Sequence, residues 1–470
     1  MRLALALWFS FVATVLCAAE KAEYPPLKLP DTSGWGRNIQ RTMRMLATST
    51  PEQRNTVRVL FYGQSITEQK WSQFVAEDLK KRFPHANLII ENRSLGGFAS
   101  QLLVKTAESD LYPFQPDLLI FHVYGAHDKY QDIIRRTRER TSAEILMQTD
   151  HLTKPEELDE ETDPAKLPPA GKHWNAFMNH HWLPKVAKKY DAELCDQRTL
   201  WKQYLQEHKL QPKDLLKDNV HLNAHGEWLM AECVKAYLRY DPKLGPSPAE
   251  QWVKTSEIDK DVQAKNGEII MEFEQDRIDL VGNGKAGKIT AVTINGKPAA
   301  ELVPQFQYSR ASTKIPGKWA GNWPVVAPIL SEAPPLDEEW TMQVKKAGDD
   351  DKTFTFELTG SKTGPDGSGR SDARFVSKSK RVVIEPEAWN VVFALAMAGH
   401  KPVPETFPVT WKTQPRFVTS YELPPARDPG TEMSITVADR LPAGKKELRI
   451  KFEGECPLRA IRVYSTNNAK

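Results

Sequence analysis

The chain has 470 residues, more than one compact domain holds. Its 64 Lys and Arg stand against 61 Asp and Glu, a formal charge of +3 that predicts no nucleic-acid partner. Of four cysteines, Cys17 lies in the leader described next, so Cys195, Cys233 and Cys456 allow at most one disulfide and exclude a disulfide scaffold.

Residues 1–19 read as a secretory signal: Arg2 supplies the charge, Leu3 to Leu16 the apolar core, and Cys17-Ala18-Ala19 a small-residue cleavage site after Ala19. Bulky Val15 and Leu16 argue against a lipoprotein site at Cys17. The run is too short for a good membrane anchor and no other stretch is long and apolar enough to span a bilayer, so an exported protein without a membrane span is expected. Residues 20–54 form a lead-in, Pro-rich from Tyr24 to Gly34 and helical from Arg37 to Ala47.

Strand and helix patterns then alternate. Strands are predicted at Val57–Tyr62, Leu88–Ile90, Leu118–Tyr124, Glu144–Thr149 and Ala192–Cys195. Helices are predicted at Glu68–Arg82, Ser100–Ser109, Tyr130–Arg140, His173–Lys189, Thr199–Gln206 and His225–Tyr240. The basic run Arg135-Arg136-Thr137-Arg138 is expected on a solvated helix face. Five strands alternating with helices call for an α/β domain with a parallel sheet covered on both faces. In such sheets the ligand crevice lies at the carboxyl ends of the strands.

The first strand leads through Gly63, which permits a sharp turn, to Ser65. Ser65 and Glu68 have capping-box spacing, and Trp71, Phe74, Val75 and Leu79 follow at helical spacing until Pro84. A serine in a strand-to-helix turn suits a nucleophile and equally suits a plain helix cap. The second strand leads to Asn92-Arg93-Ser94-Leu95-Gly96-Gly97, the third to Gly125-Ala126-His127-Asp128, and the fourth to Asp150-His151. An acidic insert, Lys154 to Gly171, is either a flexible loop or a rim over the crevice. Before the last helix stands Asp218-Asn219-Val220-His221, then Leu222-Asn223-Ala224-His225-Gly226. Asp218 and His221, three apart on one loop, have the types needed to orient and act as a base toward Ser65. Backbone N–H groups at Ser65 and Gly97 and a side chain at 127 have the placement needed to receive an oxyanion. His151 and Asp128 are expected substrate contacts at the crevice, although a bland rim position suits His151 as well. His180 and His181 are adjacent and His173 is two turns away, so no ligand face forms and no metal or cofactor is expected.

A linker is expected at 241–250, where Asp-Pro-Lys-Leu-Gly-Pro-Ser-Pro-Ala-Glu breaks the pattern. Beyond it, short alternating runs separated by turns predict an all-β, sandwich-like region over 251–470, in one piece or two. Phe407–Trp411 carries Pro408 and is expected at a sheet edge, and Thr363 to Gly369 reads as a Gly-rich loop. Trp319 and Trp323 have rings that stack on sugars in some proteins, but a sandwich core is the favoured place for them.

Over about residues 55–240 the chain resembles the SGNH (GDSL-type) hydrolases. Gly63-Gln64-Ser65-Ile66-Thr67 resembles their first block, Asn92 to Gly97 the second, Gly125-Ala126-His127-Asp128 the third, and Asp218-x-x-His221 with Asn223 and Gly226 the last. The resemblance implies a flavodoxin-like three-layer sandwich and metal-free ester hydrolysis. It implies Ser65, Asp218 and His221 as catalytic residues, and Ser65, Gly97 and His127 as oxyanion donors. It also places the sequon Asn92-Arg93-Ser94 in the active-site loop, which discounts glycosylation there. Two departures stand out: Gln64 where the family usually has Asp, and His127 where it has Asn, although a neutral imidazole still offers an N–H. The expected partner is an acylated polysaccharide or a small-molecule ester. The alternatives are a lipid or aryl esterase, an acyltransferase, and a non-catalytic glycan-binding protein with a decayed site.

Overall fold

The computed structural model of the chain describes residues 24–167, 174–302, 306–316, 323–348 and 351–466; the signal sequence read at 1–19 lies outside them. The lead-in carries α1 (Gln40–Ala47). There follow β1 (Thr56–Gly63), α2 (Trp71–Arg82), β2 (Asn87–Asn92), α3 (Ser100–Asp110), β3 (Leu118–His122), α4 (His127–Arg140) and β4 (Glu144–Gln148). Next come α5 (Trp174–Phe177), a π-helical turn Met178–Trp182, α6 (Leu183–Lys189), β5 (Glu193–Cys195), α7 (Gln197–Glu207) and α8 (Ala224–Tyr237). All five expected strands are present, and they pair in parallel in the order β2-β1-β3-β4-β5, the flavodoxin-like order.

Every residue of β3 and β4 is buried, which is why these strands read as apolar runs rather than alternating ones. One face of the sheet packs Leu60, Phe121 and Met147 against Leu103, Ile133 and Val186 of α3, α4 and α6. The other packs Val59, Ile120 and Leu146 against Met43, Val75, Trp201 and Met230 of α1, α2, α7 and α8. This is the expected three-layer sandwich.

Two local expectations are corrected. α2 begins at Trp71, not Glu68, and Ser65 caps nothing; residues 65–70 form turns. Arg138 is buried instead of solvated, because its guanidinium donates to the carbonyls of Tyr190, Ala143 and Asp191. Arg135 and Arg136 do lie at the partly exposed surface, paired with Asp132, Glu139 and Glu108.

The C-terminal region is antiparallel and comes in two pieces. β6 (Val253–Glu257), β7 (Ala264–Lys265), β8 (Glu268–Phe273), β9 (Arg277–Gly282), β10 (Gly287–Ile294) and β11 (Lys297–Pro298) begin a sandwich. After an insertion, β21 (Tyr421–Leu423), β22 (Ser434–Ala438), β23 (Lys446–Glu453) and β24 (Leu458–Tyr464) complete it. Its sheets run β11-β10-β23-β8-β7, with β21 beside β10, and β22-β9-β24-β6. Ile269, Leu280, Val292, Val437, Leu448 and Ile461 fill the space between them.

The insertion comprises β12 (Phe306–Tyr308), β13 (Ala311–Thr313), β14 (Pro324–Val326), β15 (Glu338–Lys346), β16 (Phe354–Gly360), β17 (Gly364–Arg370), β18 (Phe375–Val376), β19 (Val383–Ile384), the helix α9 (Val391–Met397) and β20 (Thr406–Pro415). Its main sheet runs β14-β13-β20-β15-β16-β17. Here three readings are corrected. The expected Gly-rich loop is β17, paired along β16. α9 stands in a region expected to be all-β. β20 is central, not an edge: Pro408 aligns with Gln343 of β15 but lies one residue outside the pairing with β13, which starts at Val409. The proline therefore has one neighbouring strand instead of two, which a missing N–H tolerates.

The insertion packs directly on the parallel-sheet domain. One apolar cluster runs from Phe98 and Leu103 to Trp323, Val325 and Leu395. Arg310 reaches both carboxylate oxygens of Asp110 at 3.1 Å and the Arg93 carbonyl at 3.0 Å. Among the described residues no helix is long and apolar enough to cross a membrane.

Candidate active site

Ser65 stands just past the carboxyl end of β1. Gly63 is required there by close approach, not by a left-handed turn: a Cβ at Gly63 would lie 2.1 Å from the His122 carbonyl oxygen and 2.4 Å from Thr67 Oγ1. The Gln64 carbonyl then accepts the Thr67 N–H at 2.8 Å, so the chain curls and presents the serine. Ser65 Oγ lies 2.9 Å from His221 Nε2, and His221 Nδ1 lies 2.9 Å from Asp218 Oδ2. The carboxylate accepts a hydrogen bond from Nδ1–H, which keeps the proton on Nδ1 and leaves Nε2 free to accept from the serine hydroxyl. Asp218 Oδ1 also accepts the His221 N–H at 2.7 Å and the Val220 N–H at 2.8 Å. These bonds, the His221 amide first, hold the Asp218 carboxyl down at about 2, so it is ionised throughout the neutral range. The site is open: the Asp218 side chain is 51% and that of His221 34% exposed.

Two side chains hold the histidine loop from behind. Gln69 Oε1 accepts the Leu222 N–H at 3.0 Å while its Nε2 donates to the Leu222 carbonyl at 2.9 Å. The turn carrying the serine is thereby tied to the loop carrying its base. Sequence reasoning missed Gln69; its position four residues past Ser65 carries no signal of a partner 153 residues away. His151 Nε2 donates to the Val220 carbonyl at 2.8 Å. It is 3% exposed and faces the back of the loop, so the expected substrate contact is corrected to a structural one. Asn223 caps α8, its Oδ1 accepting the N–H groups of His225 and Gly226.

Burial pushes the His151 imidazole down to about 4, with His122 and Arg198 adding to the effect and Asp150 opposing it. The unfolded chain binds a proton near the ordinary 6.5, so the unfolded state binds more protons between pH 6.5 and 4. Stability is therefore lost as pH drops from 6.5 to 4, by about 2–3 kcal/mol from this group. His151→Gln keeps a donor for Val220 and does not titrate. Urea unfolding at pH 7 and pH 4.5 is expected to show a smaller acid loss in the variant by about that amount.

The two glycines of the second block differ in use. The Gly96 N–H donates to Glu68 Oε1 at 2.9 Å. The Gly97 and Ser65 N–H groups have no partner among the described residues. Gly97 has φ +78°, a left-handed backbone that suits glycine. Leu95 N–H donates to the Gly63 carbonyl at 3.0 Å, which brings this loop against the serine turn. Asn92 anchors it further, donating to the Thr67 carbonyl at 2.7 Å.

His127, the first residue of α4, has its ring between Trp174 (centroids 5.1 Å, planes 8° apart) and Trp182 (4.9 Å, 24°). Burial lowers its pKa, favouring the neutral ring, and among the described residues its buried Nε2 has no hydrogen-bond partner. Asp128 is exposed, its carboxylate 3.1 Å from Lys129 Nζ. His180 Nε2 bonds Glu160 Oε1 at 2.8 Å, and Glu160 also takes Arg198; His173 lies outside the described residues. Among the described residues no three His, Cys, Asp or Glu side chains are grouped to hold a metal. Trp323 is 6% exposed and belongs to the core, as favoured; Trp319 lies outside the described residues.

No protein-family model matches the chain, and no curated protein matches it. Among solved structures it is similar to an α/β hydrolase enzyme from the metagenome of Lake Arreo, Spain (16% identity, 40% of this chain and 98% of that one, TM-score 0.33). It is similar to an acetylxylan esterase from Geobacillus stearothermophilus (16%, 40% and 97%, TM-score 0.34). It is also similar to a two-domain esterase active on acetylated mannans (13%, 91% and 95%, TM-score 0.35). All three scores are below 0.5; the fold rests on the sheet order above and the site on its distances.

Proposed function

We propose that the protein is a serine carboxylic ester hydrolase that removes acetyl or other acyl groups from carbohydrates. The observation that carries this reading is the continuous relay Ser65 Oγ–His221 Nε2–His221 Nδ1–Asp218, with both bonds at 2.9 Å. Ser65 Oγ attacks the ester carbonyl while His221 Nε2 takes its proton, and Asp218 stabilises the imidazolium. The carbonyl oxygen becomes an oxyanion beside the Ser65 and Gly97 N–H groups. The carbon–oxygen bond to the alcohol breaks as His221 returns the proton to the leaving oxygen. Water then gives one proton to His221 and attacks the acyl-Ser65 carbonyl; the bond from the acyl carbon to Ser65 Oγ breaks as His221 returns that proton to the serine oxygen, and the acid is released.

Residues 55–240 are the catalytic unit in this reading, 241–250 the linker, 251–470 the accessory region, and 1–19 a cleaved export signal. The carbohydrate assignment is favoured by the openness of the triad and by Tyr124, an exposed aromatic at the end of β3 whose ring meets Trp174 edge-on. A partly exposed serine beside an open Asp–His pair reaches esters on a polymer that a closed pocket excludes. His127 is the third oxyanion donor in this proposal, motivated by its buried, unpartnered Nε2. His127→Ala is then expected to lower kcat about 100-fold. Steady-state kinetics check this, and undiminished kcat removes His127 from the hole.

The testing experiment is acetate release from acetylated polysaccharides by the mature protein beside Ser65→Ala. Release by the wild type and none by the variant is expected. No release from any acylated glycan or small ester, with glycan binding intact in both, overturns the enzyme reading.

A further inference from the structure

We propose that Trp323, on the insertion of the C-terminal region, is a positioning residue for the oxyanion hole; this rests on the ester-hydrolase reading above. Its indole Nε1–H donates to the Gly96 carbonyl oxygen at 2.8 Å, and the contact is buried. The Gly96 C=O and the Gly97 N–H are the two ends of one planar peptide group. Fixing the direction of that carbonyl fixes the direction of that N–H. A hydrogen bond accepted at the oxygen also polarises the group and strengthens the N–H as a donor.

This peptide needs such a clamp. It is flanked by two glycines, the residues with the freest backbone, so nothing in its own side chains resists rotation of its plane. The surroundings supply the restraint from two sides. From the catalytic unit, Glu68 Oε1 takes the Gly96 N–H at 2.9 Å. From the insertion come Trp323 and α9, whose Phe393 Cζ lies 2.7 Å from where a Gly97 Cβ would stand. Phe393 also packs on Phe98, the next residue of the loop, with ring centroids 5.5 Å apart. The accessory region is thus part of the apparatus that aims the Gly97 N–H, in addition to whatever it binds.

The test is Trp323→Phe, which keeps an aromatic ring and removes the N–H. Trp411→Phe is the control: Trp411 lies in β20 of the same insertion, and among the described residues its indole nitrogen has no hydrogen-bond partner. Trp323→Phe is expected to lower kcat about tenfold, less than loss of a donor itself, with KM within about twofold. Inactivation by a fluorophosphonate, whose phosphoryl oxygen enters the same hole, is expected to slow in parallel. Trp411→Phe is expected to match the wild type in both. If Trp323→Phe fails to fold, benzothienylalanine at 323, which replaces the N–H by sulfur in the same ring shape, decides instead. Undiminished kcat and inactivation rate in the folded variant overturn the inference alone. A wild-type protein that neither hydrolyses esters nor reacts with the fluorophosphonate overturns the ester-hydrolase reading, and this inference with it.

Discussion

Alanine at Ser65, at His221, or at both is expected to lower kcat by the same factor, about a million-fold, instead of multiplying. The reason is geometric. Ser65 Oγ and His221 Nε2 share one hydrogen bond of 2.9 Å, so in the proposed reaction the attack and the proton transfer are a single event. Once either partner is gone the other has nothing left to do. Asp218→Asn is expected to cost about 10,000-fold, by stabilising the wrong imidazole tautomer. It is a clean substitution here because the asparagine oxygen can still accept the Val220 and His221 N–H groups that shape the turn. Since Asp218 is held at about 2, it stays charged as pH falls to about 3, so its own titration adds nothing to the pH dependence of the Asn penalty above that pH. Single-turnover rates of the four variants check the set. A double variant far slower than either single one shows that Ser65 and His221 do not act as a unit.

The sequence carries the sheet and the relay for the same reason: both are written locally. β3 and β4 are buried on both faces, so their apolar runs identify them without knowledge of their neighbours. Asp218 and His221 share one turn, and their three-residue spacing is the spacing at which the carboxylate caps the turn and reaches Nδ1. What stays hidden is written at long range. Glu68 has capping-box spacing from Ser65, yet its carboxylate goes to the Gly96 N–H, because the serine turn and the second-block loop lie side by side at the sheet end. Gln69 finds Leu222 across 153 residues and Trp323 finds Gly96 across 227. Arg138 reads as a surface charge until three carbonyls are placed around it. In β17 the glycines mask a strand, since ladder bonds are made by the backbone and need no side chain. The insertion is illegible for a related cause: its two flanking halves of sandwich join only in space, with β10 pairing β23.

Gly97→Ala is expected to lower kcat by at least about 100-fold and to destabilise the fold, while Gly96→Ala does less on both counts. Position 97 has φ +78°, where an L-residue costs about 1–2 kcal/mol. Its Cβ would meet Phe393 Cζ at 2.7 Å, and that ring is wedged against Phe98, so the aromatic and the peptide must separate. Either the N–H turns away from the position where the oxyanion forms, or α9 lifts from the loop. At Gly96 the new Cβ would meet Glu68 Oε2 at 2.8 Å, the far end of a flexible side chain that can swing aside. The cost there is the Glu68 bond to the Gly96 N–H, while Trp323 still holds the other end of the next peptide. Kinetics with a short-chain ester and thermal unfolding of both variants check the ranking. If Gly96→Ala is the more damaged of the two in kcat, the oxyanion donor belongs at Gly96, and the division of labour between the two glycines is the reverse of the one proposed.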